Sequence, residues 1–207
     1  GADGPSQPGI AARRAFLKRD AAQSGPGPPA SVGIDSDRRR GRRLQVDTGI
    51  DGDLYRKVLG RYPTGVTLVT GMAGDEPLAM VIGSFVSVSM DPPLVGFLPG
   101  RNSNTWPRIE ASGSFCINVL SDAQEALANA FFRRDGDPWE GIGWVPATSG
   151  SPAIPSCLAS IDCSINDVVD AGDHLFVMGL ITDLSHVDEG SPLVFLGGRY
   201  GEYRPLG

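Results

Sequence analysis

The chain has 207 residues, of which 41% are apolar, and its three cysteines show no CxxC spacing. This composition is typical of a globular protein, has no 18-residue apolar run that could span a membrane, and predicts neither a disulfide framework nor a metal site. The formal net charge is −6, but residues 1–45 carry +5 and residues 46–207 carry −11, so the second part should repel nucleic acid.

Residues 1–45 contain seven glycines, five prolines and nine basic residues, with little apolar periodicity. Such a segment cannot bury enough apolar surface to offset the entropy of ordering, so we expect a disordered tail. Its Arg13–Lys18 segment is similar to a twin-arginine export motif, but no apolar segment follows, and we expect a cytoplasmic protein. The basic run Arg38–Arg43 is typical of a solvated tail, with nucleic-acid binding as the less favoured interpretation.

The predicted folded domain covers residues 46–207 and opens with a helix. Asp51 or Asp53 is placed to cap this helix, whose apolar face would carry Leu54, Val58 and Leu59. Strand-like runs, several with alternating apolar positions, then follow at 66–70, 78–88, 94–98, 115–120, 158–169, 175–187, 193–196 and 199–203.

Two further helices are predicted between these strands. Ser103 or Asn104 can cap the first, and Ser121 with Gln124 forms a capping box that opens the second. Many strands and few helices favour an antiparallel barrel with helical insertions over a parallel sheet. The chain has neither a GxGxxG nor a Walker motif, so a Rossmann or P-loop site is not indicated.

A first candidate for ligand binding is the segment Val81–Phe85. Gly83 interrupts a β-branched strand and indicates either a close approach of the backbone to a planar ligand or a barrel corner. A second candidate is the group Arg101, Asn102, Ser103 and Thr105, where hydroxyls, amides and a cation near a helix start suit a phosphate. Ordinary N-capping explains the second group equally well.

The third candidate is His174, which follows a Gly-Asp turn between the two longest strands. A histidine in a turn can offer a hydrogen bond or a flat face to a ligand, although a solvated role is more common. Arg199 and Tyr200 place a cation and an aromatic ring after Gly197-Gly198. This pattern predicts a hairpin that could contribute to a binding site, with a plain turn as the alternative interpretation.

Together, these segments resemble the short-chain flavin reductase family, the reductase components of two-component flavin-dependent monooxygenases. The resemblance covers about residues 54–204, and the tail has no counterpart. It rests on a fixed order of blocks: Arg61–Val66, Gly83–Pro93, Ser103–Trp106, Gly113–Leu120, Gly172–His174 and Gly198–Gly201.

The resemblance implies a mainly β, Greek-key split barrel, a homodimer, and FMN or FAD bound near the subunit interface. The implied enzyme is an NAD(P)H:flavin oxidoreductase, using NADH or NADPH, that supplies reduced flavin to a monooxygenase. It places the flavin ring along Val81, Ile82, Gly83, Ser84 and Phe85, with Pro63 and Thr64 at its edge. It places the phosphate near Arg101, Ser103 and Thr105, and the nicotinamide near His174, Arg199 and Tyr200.

One segment departs from the family pattern. Many members have Thr-Ala-Asn-Ser-Phe where this chain has Val81–Phe85, so two polar side chains that could contact the flavin are absent and backbone amides must replace them. The sequence does not distinguish FMN from FAD or NADH from NADPH. A flavin carrier without catalysis and a flavin-dependent oxidase or oxygenase on the same barrel are the alternative functions.

Overall fold

Antiparallel strands make up most of the computed structural model, which describes residues 49–133 and 136–206. The strands are β1 Thr64–Gly65, β2 Thr67–Ala73, β3 Glu76–Ile82, β4 Val86–Met90, β5 Pro93–Phe97, β6 Ser114–Val119, β7 Val145–Pro146, β8 Pro152–Ala153, β9 Ala159–Ala171, β10 His174–His186, β11 Leu193–Leu196 and β12 Arg199–Glu202. The helices are α1 Gly52–Leu59, α2 Trp106–Glu110 and α3 Glu125–Phe132. The mainly β fold is confirmed, whereas the predicted tail at 1–45 lies outside the described residues.

The main sheet has the strand order β3-β2-β6-β9-β10-β5-β4, and every pairing is antiparallel. Consecutive strands β3 and β4 lie at opposite edges of this sheet, although only residues 83–85 separate them. A link of this length spans at most about 14 Å, so the sheet must curl until its two edges approach each other. The result is a barrel with a seam, which we define as Gly83–Phe85 together with Leu98.

The prediction of a single strand over 78–88 is wrong in one respect, because the run is divided between β3 and β4. The chain leaves the sheet at Gly83 to cross from one edge to the other. Ser84 compensates for the missing ladder bonds, since its Oγ accepts a hydrogen bond from the Leu98 N–H at 2.9 Å. A barrel corner therefore exists at the position where the glycine interrupts the strand pattern.

Two apolar clusters fill the fold. In one, the ring of Phe97 meets those of Trp106 and Phe115 edge-on, with centroids 5.4 and 5.2 Å apart. The other lies between β2, α3 and β11 and includes the fully buried Leu68 and Leu120. The second, smaller sheet has the order β1-β11-β12. These clusters hold the barrel rigid beneath the seam.

The caps predicted at the start of α1 and before α3 are present, but one predicted apolar face is not buried. Asp51 accepts hydrogen bonds from two backbone N–H groups at the start of α1, and Ser121 with Gln124 forms the capping box before α3. Leu54, Val58 and Leu59 are each more than half exposed, so α1 packs no residue into the core of this chain. No helix in the described part of the chain is long and apolar enough to cross a membrane.

Candidate active site

A cleft of about 530 Å³ lies along the seam of the barrel. It forms where the end of β3, the end of β5 and the start of β10 come together. Its lining residues are Tyr55, Met80, Val81, Ile82, Gly83, Ser84, Leu98, Pro99, Gly100 and His174. The structure therefore brings together two of the three candidate segments, although about 90 residues separate them in the sequence.

The absence of a side chain at Gly83 leaves backbone exposed on one side of the cleft. A Cβ atom at this position would lie 3.0 Å from the Thr64 Oγ1, so even an alanine would crowd the neighbouring strand. The Phe85 side chain instead packs against the apolar core, and Ile82 is only 6% exposed. The cleft thus offers bare backbone at Gly83, which fits a planar ring lying flat.

His174 lines the same cleft from the first position of β10. Its backbone bridges to Gly100, and its side chain is about half exposed at 47%. Its Nδ1 lies 2.7 Å from the Asp173 Oδ1. When Nδ1–H donates to this carboxylate, Nε2 becomes an acceptor that can take a hydrogen bond from a ligand amide.

The second candidate group, at 101–105, continues from the cleft at Gly100. The Ser103 Oγ accepts hydrogen bonds from the N–H groups of Thr105 and Trp106, but the N-cap of α2 is Thr105, so neither Ser103 nor Asn104 occupies the predicted cap position. Asn102 is exposed and Thr105 is half-buried. The Arg101 guanidinium contacts the turn between β9 and β10. This loop therefore borders the cleft, but none of these four residues lines it.

Arg199 and Tyr200 lie on the smaller sheet, away from this cleft. Tyr200 contacts the ring of Phe195 and lines a separate cleft with acidic residues that include Glu125. Burial, with Glu125 as a lesser cause, raises the pKa of the Tyr200 phenol. Arg199 is exposed at the hairpin. The predicted role of these two residues near a nicotinamide stays a prediction.

Comparison with known proteins decides the family. The model of the flavin reductase-like domain matches residues 59–204. A flavin reductase of Pseudomonas putida is 45% identical over 162 residues, which cover 78% of this chain and 95% of the relative. The chain belongs to the flavin reductase-like family. The family predicted from the sequence is confirmed.

Solved structures of family members share the barrel. Nitrilotriacetate monooxygenase component B from Mycobacterium thermoresistibile superposes with a TM-score of 0.73 at 43% identity, covering 76% of this chain and 89% of that one. An NADH:FAD oxidoreductase of Streptomyces globisporus, in complex with NAD and FAD fragments, gives a TM-score of 0.71 at 34% identity. That match covers 79% of this chain and 98% of the other. The predicted split-barrel fold is confirmed.

This flavin reductase-like cleft has few groups for acid–base or nucleophilic chemistry. Among the described residues that line it, none is a carboxylate, a lysine or a cysteine. The three cysteines are buried and unpaired, and burial raises the pKa of Cys116 to about 12 and that of Cys157 to about 11. The thiols are therefore protonated at neutral pH and unsuited to act as nucleophiles.

The sequence patterns missed several lining residues of this family member. Tyr55 comes from α1, where its neighbours suggested a core-facing helix, and its ring is 56% exposed. Leu98, Pro99 and Gly100 follow β5 and reach the cleft because β5 pairs with β10. An aromatic residue beside the apolar positions of α1 was the available signal for Tyr55, but no local pattern links β5 to His174.

Proposed function

We propose that this chain is an NADH-dependent flavin reductase that binds FMN or FAD in the cleft at the barrel seam. The observation that carries the proposal is that bare backbone at Gly83 and the residue His174 line one cleft. When both are bound, the nicotinamide supplies a hydride to the flavin, and the protein contributes position and polarity. This division of labour fits a cleft whose lining lacks acid–base pairs.

The chain's own residues would then act as follows. The backbone of Val81–Ser84 faces the flavin ring, and Thr64, with Pro63 beside it, lies at the edge next to Gly83. The loop after Gly100 contacts the phosphate through Asn102, Ser103 and Thr105. The Ser103 oxygen already accepts two backbone N–H groups, and its O–H can still donate to an anion.

His174 would orient the nicotinamide. Because its Nδ1 pairs with Asp173, its Nε2 can accept a hydrogen bond from the carboxamide without moving a proton. Removal of this contact should weaken nicotinamide docking and leave flavin binding intact. Arg199 and Tyr200 lie outside the cleft of their own chain, so their role near the nicotinamide requires the site of a second subunit.

The proposal includes a homodimer. The helix α1 carries Tyr55 at the cleft and exposes Leu54, Val58 and Leu59, each more than 50% accessible. A contiguous apolar face of this kind is typical of an interface. We further propose that a monooxygenase consumes the reduced flavin. We also propose that the protein is located in the cytoplasm, since a reducing compartment fits its three unpaired cysteines.

Steady-state kinetics with NADH and NADPH against FMN, FAD and riboflavin test the activity. We expect NADH oxidation that depends on added flavin, together with a molar mass near twice 21.8 kDa by light scattering. Flavin uptake without oxidation of either nicotinamide would favour a carrier. A monomer at micromolar concentration would contradict the dimer without affecting the assignment of the reaction.

A further inference from the structure

One arginine joins the cleft loop to the turn that precedes His174. The Arg101 N–H donates to the Asp173 carbonyl at 3.0 Å, and its Nε donates to the Gly172 carbonyl at 2.8 Å. Its Nη2 lies 2.5 Å from the Asp170 Oδ1. We call the side-chain contacts of Arg101 with Asp170 and Gly172 the clamp. The clamp and the backbone bond together span the turn from end to end.

The turn needs such support because of its geometry. Gly172 and Asp173 alone connect β9 to β10, and Gly172 has a φ of +69°. Tips of hairpins are usually the most mobile parts of a sheet, because few contacts hold them. The next residue is His174, so a change in the turn acts directly on the position of its imidazole.

The clamp is better protected than an ordinary surface ion pair. The side chains of Arg101 and Asp170 are 30% and 22% exposed, whereas the pair of Arg108 with Glu76 is 46% and 59% exposed. Partial burial reduces the screening of the charges, and the hydrogen bond from Nε to the Gly172 carbonyl orients the guanidinium plane. The Nε–H and the charge at Nη2 already have protein partners, which leaves less of the guanidinium for a phosphate.

We propose that Arg101 and Asp170 are positioning residues that hold the turn at Gly172 and Asp173 and thereby set the place of His174 at the cleft. Arg101 then serves the nicotinamide side of the reaction, and its role differs from the phosphate contact expected from the sequence. The expected effect on the KM for NADH rests on the proposed function, whereas the expected effect on the mobility of the turn does not. A carboxylate that the sequence patterns did not single out becomes part of the site.

Three variants separate the two roles of Arg101. Asp170→Asn removes the charge partner and leaves the arginine available to a phosphate, Arg101→Gln removes the cation, and Arg101→Lys keeps the charge without the fork. We expect each to raise the KM for NADH by about threefold to tenfold, with little change in kcat and flavin affinity within about twofold. The double variant Arg101→Gln with Asp170→Asn should raise the KM for NADH no more than either single variant does, because both substitutions remove the same contact.

The opposite pattern would overturn the proposal. If Arg101→Gln weakens flavin binding by about tenfold while Asp170→Asn changes neither constant, Arg101 is a phosphate ligand. Rescue of flavin binding by Arg101→Lys would point the same way, since a point charge suffices there. Arg108→Gln is the matched control, because it breaks an ion pair outside the cleft and should leave every constant near wild type.

Hydrogen exchange tests the clamp independently of catalysis. In Asp170→Asn, amides at 171–175 should exchange about tenfold faster, and those of β6 should not change. Unchanged exchange in the turn would overturn the proposal whatever the kinetics, and faster exchange with an unchanged KM for NADH would overturn the positioning of His174. A wild-type protein that oxidises no nicotinamide would refute the proposed function. The hydrogen exchange of the turn would then be the only test of the clamp.

Discussion

The Ser84 hydroxyl and the Leu98 backbone continue the pairing of β4 with β5 into the seam. The Leu98 N–H donates to the Ser84 Oγ at 2.9 Å, and the same Oγ lies 3.4 Å from the Leu98 carbonyl oxygen. Because Val86 pairs with Gly96, this contact stands at the next position of the antiparallel ladder, where a side chain takes the place of a backbone group. Both residues also line the cleft, so the link that crosses from β3 to β4 is held to the end of β5 at the cleft.

Replacement of Ser84 should therefore destabilise the fold. In Ser84→Ala the half-buried Leu98 N–H loses its partner, and the free energy of unfolding should fall by about 1–2 kcal/mol. Urea unfolding followed by fluorescence measures the change. Ser87→Ala, on the exposed strand β4, is the control and should stay within about 0.5 kcal/mol of wild type. An equal effect of the two variants would show that the seam does not depend on Ser84.

The two histidines give a matched pair of variants, because they stand at opposite ends of β10. His174→Ala should raise the KM for NADH and lower kcat/KM by one to two powers of ten, about 1.4–2.7 kcal/mol of transition-state stabilisation. Flavin affinity should change little. His186→Ala should match wild type in both constants. Kinetics with NADH varied at saturating flavin decide, and an unchanged kcat/KM for His174→Ala would remove it from the site.

A methyl group at Gly83 should obstruct the flavin. In Gly83→Ala the new Cβ lies 3.0 Å from the Thr64 Oγ1, and it covers the backbone on which the ring is proposed to lie. We expect the flavin Kd to rise about tenfold, or about 1.4 kcal/mol, in a fluorescence titration. Gly143→Ala, where a Cβ meets no atom within 4 Å, should bind flavin like wild type. Equal affinities would place the ring elsewhere.

The buried thiols should be unreactive in the native protein. Because burial raises the pKa of Cys116 to about 12 and that of Cys157 to about 11, both are protonated at pH 8. Their pKa values in the folded protein lie above the ordinary value of 9.0. The stabilisation of the folded protein that depends on protonated thiols is therefore present below pH 9 and is lost as pH rises through 11 and 12. Ellman's reagent should react with these thiols only in urea or at high pH. Rapid labelling of native protein at pH 8 would contradict this.

The tail at 1–45 should be dispensable for the chemistry. It falls outside the residues matched by the family model, which begin at 59. A chain that starts at residue 46 should therefore reduce flavin within a few-fold of the full chain's rate in the same NADH assay. A loss of two orders of magnitude would mean that the tail shapes the site.

Much of the local structure follows from short patterns. Asp51 caps α1, and Ser121 with Gln124 opens the segment before α3, because capping depends on residues two or three positions apart. The interruption at Gly83 and the turn before His174 were visible for the same reason. The exposure of α1 in this chain was not predictable in this way, since an apolar face on a helix does not specify what packs against it.

The sequence by itself determined the mainly β class, the family and two segments that contribute residues to the cleft, at 81–85 and at His174. Only the tertiary structure decided that β3 and β4 separate to opposite edges, that Tyr55 and Leu98 reach the cleft, and that Arg101 pairs with Asp170. The physical reason is the distance along the sequence between the residues that determine each feature. Caps, turns and alternation depend on neighbours along the chain, whereas the cleft depends on the register of β5 on β10 and on closure of the sheet, which residues far apart in sequence determine together.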